Sequence, residues 1–171
     1  MTLQDPPQLS TPPPMPYRIR CCTVGGCLSA NSLTVKTQLE TAVTAAGLGD
    51  RVIVSGVGCM GLCSRGPLVQ IDPSGDLYAS VTPDQAAHIV ASVANSQESQ
   101  ATSQNPKTIL PSPHLPTAIS PTIPFFTRQH RIVLENSGLI DPERIEDYIA
   151  AQGYEALHQS LRDMEPAAVV D

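Results

Sequence analysis

Basic side chains are scarce in this sequence: ten Lys and Arg stand against sixteen Asp and Glu, a formal net charge of -6. Neutralising nucleic-acid phosphates takes a basic stripe, and its absence argues against a nucleic-acid-binding surface. Apolar runs are short too. None approaches the roughly 18 residues that span a bilayer. The opening MTLQDPPQLSTPPPMP has neither the basic start nor the apolar stretch of a signal peptide. The expectation is a soluble, acidic, cytoplasmic chain without a transmembrane segment. A Walker motif, a GxGxxG loop and a Ser-His-Asp arrangement are also missing, and Gly25-Gly26 alone is too little for a phosphate cradle. His88, His114, His130 and His158 read as solvated surface. No catalytic residue is predicted.

Proline, by contrast, is abundant. Of seventeen prolines, twelve fall within residues 6 to 16 and 106 to 124, which marks 1–16 as a disordered Pro-rich tail and 96–124 as a linker. Residues 96–124 are rich in Ser, Gln, Thr and Pro and contain no Gly. Such a composition cannot bury enough apolar surface to offset chain entropy, so an extended tether is expected. Beyond it, Asp141-Pro142-Glu143 opens a helix carrying Ile145, Tyr148 and Ile149 and closed by Gly153, and Tyr154, Leu157, Leu161 and Met164 mark another. Glu143, Glu146 and Asp147 form the wet face of the first of these helices. Two short helices make a poor domain, so 125–171 is expected to be the N-terminal portion of an incomplete second domain.

The compact part is therefore residues 17–95. Tyr17, Ile19 and Cys21 share one face of a predicted strand, and Arg18, Arg20 and Cys22 the other. Ser32 is placed to cap a helix over 33–46, with Val35, Leu39, Ala42, Val43 and Ala46 as its apolar stripe and Gly47 as its end. RVIVSGVG, LVQID and DLYASV read as strands, the last two joined through Pro73-Ser74-Gly75. Thr82-Pro83-Asp84-Gln85 carries a capping box and starts a helix over Ala86, Ile89, Val90 and Val93 that ends near Ala94. This order predicts a small α/β layer structure.

All five cysteines lie between residues 21 and 63. An odd count in a chain without export signals makes disulfides a poor explanation and a metal site the leading one. Cys22 and Cys27 form a C-x4-C pair, Cys59 and Cys63 a C-x3-C pair. A [2Fe-2S] cluster needs four thiolates from two directions and backbone N–H groups near its sulfurs, which Gly25, Gly26 and Gly61 could admit. A four-cysteine zinc site also takes two pairs, though usually with two residues inside each, and buried cysteine can simply be a small hydrophobe. Cys21 shares the core face of Tyr17 and Ile19, so Cys22 is chosen as the ligand.

The segments RIRCCTVGGCLSANS, VSGVGCMGLCSRGPLVQIDPSGDLY and VTPDQAAHIV resemble the thioredoxin-like [2Fe-2S] ferredoxin domain of the small iron–sulfur subunit of respiratory complex I. The stretch PFFTRQHRIVLENSGLIDPERIEDYIAAQGYEALHQSL is similar to the opening of the NADH-binding flavoprotein subunit of that complex. Both occur fused in the diaphorase flavoproteins of the cyanobacterial bidirectional NAD-reducing hydrogenases, which the double cysteine and GCM-x-LC-x-RGPLV resemble most. The resemblance implies a thioredoxin-like fold and cluster-ligand roles for Cys22, Cys27, Cys59 and Cys63. It also implies single-electron relay between a flavin and other redox centres of an NAD(P)H oxidoreductase, with other iron–sulfur subunits of a diaphorase or hydrogenase complex as partners. FMN, NAD(H) and a [4Fe-4S] cluster are expected only in a C-terminal continuation, so the fragment alone should not be catalytic. An NAD-dependent formate dehydrogenase and an electron-bifurcating hydrogenase share the arrangement, and a zinc-stabilised interaction module without redox work is the reading of another class. Arg18, Arg20 and Arg65 are candidates to moderate the cluster's negative charge, or else solvated surface.

Overall fold

The structure, a computed structural model, describes residues 17–99 and 116–170, with the side chains of 95–99 left out of account. The Pro-rich tail and most of the expected tether, His114 included, lie outside the described residues.

Strand β1 (Tyr17–Cys22) leads through helices α1 (Gly25–Ser29) and α2 (Ser32–Ala45) to β2 (Val52–Val57), which pairs with it in parallel, Cys22 opposite Val57. Strands β3 (Val69–Asp72) and β4 (Leu77–Ala79) follow as an antiparallel ladder on the other edge of β1. Helix α3 (Ala86–Ser99) closes the unit, and with β5 (Thr117–Ile119) at the far edge the sheet order is β2-β1-β3-β4-β5. The expected α/β class is what is observed.

The alternation read from β1 holds in three dimensions. Tyr17, Ile19 and Cys21 enter a buried core with Val35, Leu39 and Val43 of α2 and Ile89, Val90 and Val93 of α3. Arg18 and Arg20 face the other way. Burying each Leu, Ile or Val side chain contributes about 1.5–3 kcal/mol, so the two-helix layer is what stabilises this face of the sheet.

Three local expectations are corrected. Ser32 is the first helical residue of α2 rather than its cap: Asn31, in left-handed conformation, holds the cap position, its side chain accepting from Thr34 Oγ1 at 2.7 Å. Helix α3 runs to Ser99 rather than stopping near Ala94. The helix expected from Asp141 begins only at Ile145, because the Asp141 carboxylate accepts from the Glu143 N–H at 3.0 Å and closes a turn first. The Thr82 capping box is present, with Gln85 Oε1 accepting from the Thr82 N–H at 3.1 Å.

The end of the stretch read as tether docks on the sheet. Residues Thr117–Ile119 form β5, antiparallel to β4. Exposed edge strands leave backbone donors and acceptors unpaired, and this segment meets those of β4. The short helix α4 (Pro124–Thr127) then carries Phe126 against a second apolar cluster around Cys22 and Cys27. Helices α5 (Ile145–Ala150), α6 (Glu155–Asp163) and α7 (Pro166–Val170) follow, and Ile145, Ile149, Leu157 and Leu161 on the first two are exposed. Among the described residues no helix is long and apolar enough to cross a membrane.

Candidate metal centre

Parallel pairing of β1 and β2 sends both strands out of the sheet at the same edge. Cys22 is the last residue of β1, and Cys59 lies just beyond the end of β2. Two loops thus start side by side, each carrying two cysteines. The N–H of Cys22 donates to Leu68 O at 3.0 Å and that of Thr23 to Val57 O at 3.1 Å, which ties the loop ends together.

The thiols stand as two pairs. Cys59 Sγ and Cys63 Sγ are 3.5 Å apart, and Cys22 and Cys27 hydrogen-bond to each other. The two pairs also act on each other, since Cys59 feels the charge of Cys22, and Cys27 that of Cys63. Among the described residues no three Cys, His, Asp or Glu side chains are grouped to hold a single metal ion.

Burial grades across the site. Cys22 and Cys27 are buried, Cys59 is half-buried and Cys63 exposed. Val57, Met60, Leu68, Leu77 and Ala79 form the apolar floor beneath the buried pair. The hydrogen bond from Cys27 pulls the Cys22 thiol down to about 6, helped by the Met60 backbone, and the same bond together with burial pushes Cys27 up. Burial raises Cys59, against the pull of the Gly61 N–H, which donates to its sulfur at 3.3 Å.

Cys21 differs in kind. Fully buried on the helix side of the sheet, it donates to Ser32 O at 3.6 Å, and burial pushes its thiol up to about 12. Thiolate, not thiol, ligates metal. The position and chemistry of Cys21 are those of a core residue.

Two glycines the sequence reading did not weigh, or weighed differently, shape the cradle. A Cβ on Gly66 would stand 2.7 Å from Cys27 Sγ and 3.1 Å from its Cα, so only glycine admits that sulfur beside the Cys63–Arg65 turn. Gly26 lets α1 close on the other loop, since a Cβ there would meet Cys63 O at 3.0 Å. The one-turn helix α1 begins inside the C-x4-C segment, at Gly25, where the sequence predicts no helix.

The arginines are corrected too. Arg20 is buried, with its guanidinium in a two-pronged pair to Asp72 at 2.6 and 2.8 Å, and Arg18 bonds Asp147 at 2.8 Å and Ser55 Oγ at 3.0 Å. Neither is solvated surface. Asp147, expected on a wet helix face, is accordingly largely covered. Arg65 alone of the three is exposed.

The profile of the thioredoxin-like [2Fe-2S] ferredoxin family matches residues 7–94. The chain is 37% identical over 68 residues to a 2Fe-2S ferredoxin of Clostridium pasteurianum, covering 67% of that protein and 40% of this one. It is 57% identical over 44 residues, 26% of its length, to the NADP-reducing hydrogenase subunit HndC of Solidesulfovibrio fructosivorans, spanning only 9% of that subunit. The crystal structure of the thioredoxin-like [2Fe-2S] ferredoxin from Aquifex aeolicus aligns with 47% of this chain and 87% of its own, at a TM-score of 0.44 and 21% identity. On the profile match and the clostridial relative, the chain belongs to the thioredoxin-like [2Fe-2S] ferredoxin family.

Proposed function

We propose that this chain is an electron carrier whose [2Fe-2S] cluster is held by Cys22, Cys27, Cys59 and Cys63. The observation that carries the reading is the convergence of two cysteine pairs at one end of the β1–β2 parallel pair, where Gly26 and Gly66 let the two loops close on each other. The donor set fits the group: four thiols, one already drawn toward thiolate, with backbone amides at hand. When bound, such a cluster supplies one-electron chemistry, with its potential set by charge, hydrogen bonds to sulfur and solvent access.

The protein's own residues divide the remaining work. Leu68, Leu77, Val57 and Met60 keep water from the Cys22–Cys27 side, while the Gly61 N–H supports the sulfur of Cys59. Exposure of Cys63 makes that edge the place where a redox partner approaches.

The finer reading assigns this carrier to an NAD(P)H oxidoreductase of the hydrogenase-diaphorase type, where it relays electrons between a flavin and other iron–sulfur centres in the cytoplasm. The short match to HndC, a hydrogenase subunit, supports it. Residues 17–95 then form the cluster domain, and 125–171 begin a flavoprotein portion. Formate dehydrogenases and electron-bifurcating hydrogenases are the related assignments. Anaerobically purified protein should be brown and contain two irons and two acid-labile sulfides per chain. Colourless protein carrying zinc would replace the redox reading with a zinc-stabilised interaction module.

A further inference from the structure

Three groups from a segment far along the chain lie across the loop that carries Cys59. Arg131 Nη2 donates to Met60 O at 3.1 Å, and Ser137 Oγ donates to Cys59 O at 3.0 Å. Gly138 packs so closely that a Cβ on it would stand 3.1 Å from Met60 Cα and 3.2 Å from Cys59 O. Arg131 Nη1 donates back to Ser137 O at 3.2 Å, which closes the segment on itself, and Arg20 holds Gly138 O from the sheet side. Gly61 completes the fit: a side chain there would collide with the Arg131 guanidinium. The same Gly61 donates its N–H to Cys59 Sγ.

The charge on this strap is distinctive. Arg18 and Arg20 are each paired to a carboxylate, so their charge is largely neutralised near the site. The hydrogen bonds of Arg131 go to carbonyl oxygens. It is half-buried, and water screens it less than the exposed Arg65 at the Cys63 turn. A cation so placed favours the more negative, reduced state of anything bound at the Cys59–Cys63 edge.

Resting on the cluster reading above, we infer that Arg131 is a positioning and potential-setting residue. It clamps the Cys59–Cys63 loop and raises the cluster's reduction potential through its charge, with Ser137 as the neutral half of the clamp.

The test is a dithionite titration of the full-length, cluster-loaded protein, followed by electron paramagnetic resonance, in wild type and in Arg131→Gln, Arg131→Lys, Ser137→Ala and Arg65→Gln. The midpoint should move to more negative potential in Arg131→Gln, recover at least half of that shift in Arg131→Lys, and change less in Arg65→Gln and Ser137→Ala. Equal midpoints for wild type and Arg131→Gln, or a shift in Arg65→Gln as large as in Arg131→Gln, overturn the inference while leaving the cluster reading standing. Should Arg131→Gln fail to load, Arg131→Met takes its place in the titration: a midpoint more negative than wild type supports the inference and an equal midpoint overturns it. A wild-type chain that takes up no iron overturns both.

Discussion

Cys21 and Cys22 are neighbours in sequence and opposites in chemistry. Successive residues of a strand point to opposite faces, so one thiol enters the helix-covered core and the other the loop cradle. Burial drives the first toward the neutral form, and a hydrogen-bond partner drives the second toward thiolate. Replacing Cys22 by Ser should abolish cluster incorporation, and Gly66→Ala should reduce it severalfold by crowding Cys27 Sγ, whereas Cys21→Ser should load to within about twofold of wild type. Iron and sulfide content per chain checks all three, and wild-type loading of Gly66→Ala would contradict the cradle. The strand alternation that separates Cys21 from Cys22 was legible in the sequence, because period two needs only local information. The duty of Gly66 was not, since it depends on which atoms of α1 the Cys63–Arg65 turn meets in space.

At the scale of elements, the helix face of the sheet follows from ordinary apolar periodicity, and its opposite face is covered by something less regular. The segment from α4 to α5 lies there, fastened by polar contacts: Arg20 to Gly138, Arg131 to Met60 and Arg18 to Asp147. Burial alone would raise the Asp147 carboxyl, but the Asp141 N–H and the Arg18 guanidinium outweigh it and hold the group below its usual range. A depressed carboxyl contributes stability that is present above its unfolded value and lost as pH falls through its folded value. Docking of α5 should therefore weaken by about 1 kcal/mol or less as pH drops below about 4. Limited proteolysis of residues 139–150 at graded pH checks this: Asp147→Asn should be cleaved faster at neutral pH and show a flatter pH response. Identical cleavage of the two proteins at pH 7 would remove Arg18–Asp147 as the fastening. This docking was not readable from composition, which marked residues 116–124 as tether and Asp147 as wet, because single hydrogen bonds between distant segments leave no periodic trace. Helix α1 was missed for a related reason: one turn beginning at glycines has no apolar stripe.

In the molecule as a whole, a parallel β1–β2 pair inside an otherwise antiparallel sheet is what brings two cysteine loops to one edge. Antiparallel neighbours would have sent them to opposite ends. The class of fold could be read from sequence, since a helix between two β-branched runs implies a parallel crossover, and the two cysteine pairs are written there by their spacing. The second apolar layer, with Ile119 and Phe126 beneath the site, could not, because it joins segments separated by residues that carry no pattern. Everything proposed about function depends on the two pairs of thiols holding one redox group between them. Spin quantitation by electron paramagnetic resonance of the anaerobically reduced, full-length protein tests this most directly. The account predicts a rhombic signal integrating to about one unpaired electron per chain, whereas a reduced protein with no such signal, its thiols bound to zinc or to nothing, would contradict it.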